Sequence, residues 1–353
     1  MIEIDSSKIE ILENLVTKAN SIVITTHKRP DGDAIGSSLG IYYFLNKLGK
    51  AAKLVLNDKY PDSLKFMFNN FPLEQLSIYS EDKNETKTWI KEADLIFCMD
   101  FNEFHRTDKL ESLLTQSKAK KILIDHHLNP DESLFDLVFS IIDISSASEL
   151  TYHILMQTKI IGKDVNKLPL NCATALMTGM TTDTNNYYNS VYPSTFNMSS
   201  ALLGIGVDRD EIISELYHKQ SENRIRLKAY LLKNKLKITE YGVAYMILDQ
   251  DTVNQYQIIE GETEGFVNIP LSIDKVKMSI FAKEDEDSVR ISIRSKKGVS
   301  ANKCAAEYFN GGGHELASGG TIYIGKDIKT FDELGQYIEN CTSNFMKTEY
   351  ENI

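Results

Sequence analysis

The chain has 353 residues, more than one ordinary domain holds, and its apolar fraction of 42% is enough for packed cores, so two domains are expected. Fifty acidic against 39 basic residues give a net charge of −11. That balance disfavours a broad phosphate-tracking surface and long-duplex binding, so any nucleic-acid substrate should be short or gripped locally.

The first residues, "MIEIDSSKIEILENLV", are acidic and amphipathic, without the basic start and long apolar core of a signal peptide. No apolar run approaches membrane-spanning length, and a soluble cytoplasmic protein with no membrane contact is expected. "SIVITT" (21–26) reads as a strand, followed by a polar turn and then a helix over "AIGSSLGIYYFLNKLGK". Further strands are predicted at "AKLVLN" (52–57), "LIFCMD" (95–100), "KILID" (121–125) and "VFSIID" (138–143), with helical or polar segments between most of them. Such alternation implies a parallel α/β sheet, in which ligands gather beyond the carboxyl ends of the strands.

From about 146 to 235 the pattern turns helical and ends in the Lys/Arg-rich "NRIRLKAYLLKNKLKI", which suits a connecting helix. "GVAYMILD", "VKMSIFAKE" and "SVRISIRS" then read as strands, the last two as a hairpin around "EDED". A helix, "SANKCAAEYF", leads into a glycine turn, "NGGGHELASGG". The expected fold is α/β in two parts: a parallel-sheet domain over 1–190, a helical linker over 191–235, and a smaller α/β domain over 236–353. The final stretch "NCTSNFMKTEYENI" suggests no role. Cys98, Cys172, Cys304 and Cys341 show no CxxC spacing and suit reduced thiols better than a zinc site or a disulfide frame.

Chemistry-bearing residues cluster at the predicted strand ends. In "THKRPDGDAIGS", His27, Asp31 and Asp33 fall in a turn with Gly32 between the carboxylates. Imidazole with carboxylate suits Mn²⁺, and carboxylate-rich sites suit Mg²⁺. Alone, the same residues read as a capped helix start with Asp33 as N-cap. Asp100 closes an apolar strand, where a lone Asp is usually a cap. "LIDHHLNP" is harder to dismiss: adjacent strand residues face opposite sides, so a turn must bring at least two of Asp125, His126 and His127 together. A carboxylate beside imidazole fixes its tautomer and leaves the other ring nitrogen for metal. A solvated polar turn is the bland alternative, less attractive with only seven histidines in the chain. Asp183 in "GMTTDTNNY" follows a helical stretch.

Jointly, His27, Asp31, Asp33, Asp100, His126 and Asp183 offer two imidazoles and four carboxylates. Such a set can hold two divalent cations about 3.5–4 Å apart, bridged by a carboxylate and a water. The carboxylate majority and the lack of cysteine ligands favour Mn²⁺, or Mg²⁺, over iron and zinc. Far along the chain, the Gly311–Gly313 backbone could form an anion-binding nest, with Arg294, Ser295 and His314 holding phosphate.

The ordered set "DGD", "MD", "DHH", "TTDT" and "GGGH" resembles the DHH phosphoesterase superfamily, specifically its DHH–DHHA1 branch, from about residue 21 to about 325. The resemblance implies that His27, Asp31 and Asp100 surround one metal and that Asp33, Asp100, His126 and Asp183 surround the other, with Asp100 bridging. It implies that His127 faces the scissile phosphate and that Asp125 orients the histidines. It also assigns Arg294, Ser295, Gly312, Gly313, His314 and Arg106 to substrate. The branch includes oligoribonucleases (nano-RNases) that also remove the 3′-phosphate of 3′-phosphoadenosine-5′-phosphate (pAp), which is the expected activity here, on short RNA or small nucleotides. Hydrolysis of cyclic di-AMP or pApA and RecJ-like single-strand exonuclease activity are the alternatives, and a catalytically dead nucleotide sensor is disfavoured by the intact motifs. The GGGH ending argues against the sister branch of pyrophosphatases and exopolyphosphatases. A homodimer is compatible with the branch.

Overall fold

In the computed structural model, which describes residues 2–259 and 261–350, the apolar runs of the first half become adjacent parallel strands. They are β1 (Ile22–Thr26), β2 (Ala52–Leu56), β3 (Leu76–Ile78), β4 (Leu95–Met99), β5 (Lys120–Asp125) and β6 (Leu137–Ser140). Their order is β3-β2-β1-β4-β5-β6, every pairing parallel. Among the described residues, eight α-helices accompany them: α1 (Ser6–Lys18), α2 (Gly32–Lys47), α3 (Lys83–Glu92), α4 (Glu111–Gln116), α5 (Ala147–Met156), α6 (Leu170–Asp183), α7 (Pro193–Gly204) and α8 (Arg209–Tyr217).

β1 and β4 are buried at every position because both sheet faces are covered. Ile22, Ile24, Leu95, Phe97 and Met99 pack with the apolar sides of α1, α2, α5 and α6. Val23, Ile96 and Cys98 face the other way, against Trp89 and Ile90 of α3 and Leu114 of α4. The chain progresses outward in opposite directions from β1 and from β4, so the crevice between their carboxyl ends is the switch point where such sheets bind ligands.

This sheet lies in one of two units, Met1–Lys219; the second is Gln220–Ile353. The second holds α9 (Glu222–Tyr230), β7 (Lys237–Ile238), β8 (Val243–Leu248), α10 (Gln250–Gln255), β9 (Met278–Asp285), β10 (Ser288–Ser295), α11 (Ala301–Tyr308), β11 (Gly312–Gly313), β12 (Ala317–Tyr323) and α12 (Leu334–Tyr350). Its sheet runs β11-β12-β10-β9-β8-β7, antiparallel except for β8 with β9. The expected β9–β10 hairpin is present, with Asp285 opposite Ser288.

Three local features differ from the sequence reading. β6 stops at Ser140, short of 143. The glycine run is not a plain turn: β11 pairs with β12, Gly312 opposite Gly319 and Gly313 opposite Ser318. The C-terminal stretch belongs to α12, whose Leu334, Ile338, Thr342, Phe345 and Met346 are buried at helical spacing against the second sheet's core; residues 351–353 of that stretch lie outside the described residues.

Candidate metal centre

The site grows from three neighbouring strand ends. In the ladder Thr26 lies opposite Met99 and Met99 opposite Ile124, so His27, Asp100 and Asp125 leave the sheet side by side. The Thr26 hydroxyl donates to the Met99 carbonyl at 2.7 Å, tying the ends of β1 and β4 together. Asp100 then turns sharply, with φ at +61° and its amide donating to the Ile124 carbonyl at 2.9 Å. A left-handed non-glycine residue is uncommon and costs energy, and here it points a buried carboxylate back across the strand ends.

Asp100 is the centre of the cluster. Its Oδ2 lies 3.4 Å from His27 Nε2, and its Oδ1 lies 3.4 Å from His126 Nε2 and 3.6 Å from His127 Nδ1. Burial would raise its carboxyl, yet His126 and His27 hold it well below the usual range. Oδ1 is buried and accepts no hydrogen bond of good geometry.

His27 donates from Nδ1 to the Lys28 carbonyl at 2.8 Å, which leaves Nε2 facing Asp100 and, at 3.9 Å, Asp31. Burial pulls its pKa down, and the Asp100 and Asp31 carboxylates more than offset this. Asp31, not Asp33, is the N-cap of α2: its Oδ1 accepts from the amides of Asp33 (3.1 Å) and Ala34 (3.0 Å). Asp33 is buried, and its two oxygens accept from the amides of Ala147 (2.7 Å) and Ser148 (2.9 Å) at the start of α5. Burial, then the nearby Asp100 and Asp183 charges, raise its carboxyl well above the ordinary value.

The two histidines of "DHH" separate in function-bearing geometry. His126 Nε2 faces Asp100 at 3.4 Å, Asp183 at 3.6 Å and Asp33 at 3.9 Å. Burial opposes its protonation, but those carboxylates push its pKa up to about 10. His127 instead gives its Nδ1 proton to Asp125 Oδ1 (2.7 Å) and its backbone amide to Asp125 Oδ2 (3.1 Å), so both Asp125 oxygens hold His127. Asp183 is the last residue of α6 and is partly open, its side chain 28% exposed.

Within the first unit, three overlapping sets bring their ligand atoms within 4.8 Å of one another: His27–Asp31–Asp100, Asp33–Asp100–His126 and Asp100–Asp125–His127. The first two share Asp100, as a bridging carboxylate would require. Mutually repelling buried carboxylates, an oxygen without a donor and imidazole nitrogens turned inward fit divalent cations bound by O and N ligands. Arg106 belongs to this neighbourhood: its carbonyl accepts from the Lys28 amide at 2.8 Å, and its charge acts on His27.

Arg294, Ser295, Gly312, Gly313 and His314 lie in the second unit, near one another in the sheet. Arg294 is opposite Ala317 in the β10–β12 ladder, and the Ser295 amide donates to the Leu316 carbonyl at 3.0 Å. Two of the three glycine amides in the expected backbone nest, those of Gly311 and Gly313, are engaged within the unit. Gly311 donates to the Ala305 carbonyl (3.1 Å), Gly313 to Asn302 Oδ1 (3.0 Å) and His314 to the Ala317 carbonyl (2.8 Å). The glycines also meet a packing need: a Cβ at Gly311 would fall 1.9 Å from the Gly319 carbonyl oxygen, and Gly313 has φ at +145°.

Sequence reasoning missed Asn302 and the start of α5. The second had a visible signal, "SASE" at 146–149, whose Ser146 hydroxyl accepts from the Glu149 amide at 3.0 Å like half of a capping box.

Comparison with known proteins follows the same division. Residues 21–180 match the DHH family, N-terminal domain, and residues 240–342 match the DHHA1 domain. A bifunctional oligoribonuclease and PAP phosphatase NrnA from Bacillus subtilis (strain 168) is 28% identical over 306 residues, covering 86% of this chain and 90% of that protein. Its namesake from Thermus thermophilus is 29% identical over 319 residues, covering 88% and 87%. Among solved structures, an exopolyphosphatase-related protein from Bacteroides fragilis is 35% identical, with a TM-score of 0.90 over 99% of this chain and 100% of its own. With both domains matched in order and a relative similar over its whole length, the chain belongs to the DHH–DHHA1 phosphoesterase family.

Proposed function

We propose that the protein is a two-metal phosphoesterase that hydrolyses short oligoribonucleotides to mononucleotides and removes the 3′-phosphate of pAp. The observation that carries this reading is Asp100, a buried carboxylate at a sheet switch point with one oxygen toward His27 and the other toward His126. In this reading His27, Asp31 and Asp100 hold one cation, and Asp33, Asp100, His126 and Asp183 hold the other, with Mn²⁺ the preferred ion and Mg²⁺ second. When bound, such a pair supplies hydroxide near neutral pH and stabilises charge developing at a phosphoryl group.

The remaining residues bind and orient. His127, its ring oriented by the Nδ1 bond to Asp125, acts in this reading on the scissile phosphate or its leaving group. Arg106, Arg294, Ser295, Gly312, Gly313 and His314 bind substrate, the arginines by charge-assisted hydrogen bonds to phosphate. Residues 1–190 then carry the chemistry, 191–235 connect, and 236–353 bind substrate. The relatives named for oligoribonuclease and PAP phosphatase activity support this choice of substrate, and the net charge of −11 supports short substrates over long duplexes. A cytoplasmic homodimer completes the proposal.

The test is a substrate panel with purified protein and Mn²⁺: di- and trinucleotide RNA, longer RNA, pAp, pApA, cyclic di-AMP, pyrophosphate and polyphosphate. Mononucleotides from the shortest RNAs and phosphate from pAp are the expected products. Preferential turnover of cyclic di-AMP or polyphosphate would replace the substrate assignment, and no turnover of any phosphoester would end the enzyme reading.

A further inference from the structure

Glu149, in the first turn of α5, has a side chain with 0% exposure and lies outside the ligand sets described above. A buried carboxylate is costly unless its oxygens are satisfied, and these are. Oε2 accepts from the Ser145 amide (3.3 Å), the Ser145 hydroxyl and the Thr195 hydroxyl (2.7 Å), while Oε1 faces His153 Nε2 at 3.3 Å. Burial works to raise its carboxyl, and the bonds from His153, Ser145, Ser194 and Thr195 bring it below the ordinary range, so it is held as an anion.

These tethers join the entry of α5 to the entry of α7. Ser145 precedes the α5 N-cap, Ser146, and Thr195 is the third residue of α7, where its hydroxyl also accepts from the Tyr192 amide at 3.1 Å. Between Ser145 and Glu149 lie Ala147 and Ser148, whose amides grip the two Asp33 oxygens at 2.7 and 2.9 Å. With one amide on each oxygen, the Asp33 carboxylate cannot rotate without losing both bonds. Its Oδ2 sits 3.9 Å from His126 Nε2.

We propose that Glu149 is a positioning residue of the metal centre: by pinning Ser145 and Thr195 it fixes the first turn of α5, and through the Ala147 and Ser148 amides it fixes the Asp33 carboxylate. The proposal rests on the two-metal reading and adds that one site, the one containing Asp33, depends on Glu149 more than the other. Groups that orient a ligand carboxylate typically contribute 10–100-fold in metal affinity.

The experiment is calorimetric titration of Mn²⁺ into metal-free wild type, Glu149→Gln and Thr195→Val, with circular dichroism and thermal melts alongside. Wild type should bind two ions. Glu149→Gln should keep one site within about twofold and weaken the other about 10-fold or more, and Thr195→Val, which removes a single tether, should weaken the same site by less. If Glu149→Gln does not fold, the Thr195→Val isotherm decides alone. Wild-type affinity at both sites with only a lower melting temperature, or equal weakening of both sites, overturns the proposal. Wild-type protein that binds fewer than two Mn²⁺ overturns the two-metal reading itself, and the Glu149 role with it.

Discussion

Gly36 on α2 lies against Gly179 on α6 so closely that a Cβ at position 36 would fall 2.7 Å from the Gly179 Cα. Gly32, Gly36 and Gly40 form a seam at four-residue spacing, where added Cβ atoms would meet Thr182, Gly179 and Leu176 in turn. A Cβ at Gly179 would also fall 2.1 Å from Ser148 Oγ and 3.1 Å from Asp33 Oδ1. The close approach brings the start of α2, which carries Asp33, beside the end of α6, which carries Asp183. Gly36→Ala should therefore force backbone apart and destabilise by about 1–3 kcal/mol. Gly204→Ala is the control, since a Cβ there meets nothing within 4 Å. Thermal melts of both variants check this, and equal melting temperatures would remove the seam's importance.

Asp125→Asn addresses the orientation of His127. Asp125 is fully buried and uses both oxygens on His127, one for the ring nitrogen and one for the backbone amide. The amide replacement keeps the shape but puts N–H groups where one of these acceptors stood, so the ring loses its fixed tautomer. Folding should be retained and kcat for pAp should fall by about 100-fold with little change in KM, a loss typical of removing a group that orients a reacting side chain. Steady-state kinetics decide, and an unchanged kcat would separate His127 from the reaction.

Much of this centre was legible because its pieces sit at the ends of strands buried on both faces. Such strands read as unbroken apolar runs, which makes the polar residues that close them conspicuous. "DHH" stands out for that reason, whereas "DGD" taken alone reads as a capped helix start. What was not legible depends on distant parts of the chain. The left-handed turn at Asp100 follows from its bond to Ile124, and nothing local in "CMDFN" signals it. Asp33 is held by amides more than a hundred positions away. The partners of the Gly311 and Gly313 amides, Ala305 and Asn302, lie on α11, and nothing within the glycine run itself signals them. α12 carries no motif, and the helical spacing of Leu334, Ile338, Phe345 and Met346 is its one signal in the sequence.

Metal removal should be visible in stability as well as in turnover. Asp33 and Asp100 are buried beside Asp183, and without cations their repulsion is relieved by protons, the neighbouring imidazoles and, at Asp33, the Ala147 and Ser148 amides. Mn²⁺ at 100 times its dissociation constant should add about 2.7 kcal/mol per independent site, since ligand binds the folded state alone. Chelator-treated protein should thus melt several degrees lower and recover on adding Mn²⁺. Asp100→Ala removes the carboxylate shared by both sets, so it should lose turnover, bind fewer ions and show a smaller thermal shift. Full two-ion binding by that variant would refute a bridging role.

Asn302 is the point where α11 holds the glycine segment. Its Oδ1 accepts the Gly313 amide at 3.0 Å, across eleven positions, and lies 3.5 Å from where a Gly312 Cβ would stand. Gly313 sits at φ +145°, a conformation open to glycine, and lies opposite Ser318 in the β11–β12 ladder. Asn302→Ala removes the acceptor from a partly exposed amide that water can reach, so the cost in stability should be small. The loss should appear in binding: a hydrogen bond of about 0.5–1.5 kcal/mol no longer restrains the segment assigned to substrate, which corresponds to a rise in KM for pAp of about 2- to 10-fold. Because Asn302 lies in the second unit and the proposed metal ligands in the first, Mn²⁺ affinity should stay at the wild-type value. A fall in Mn²⁺ affinity, or a KM that does not move, would show that this hydrogen bond serves the fold of the second sheet and not the substrate.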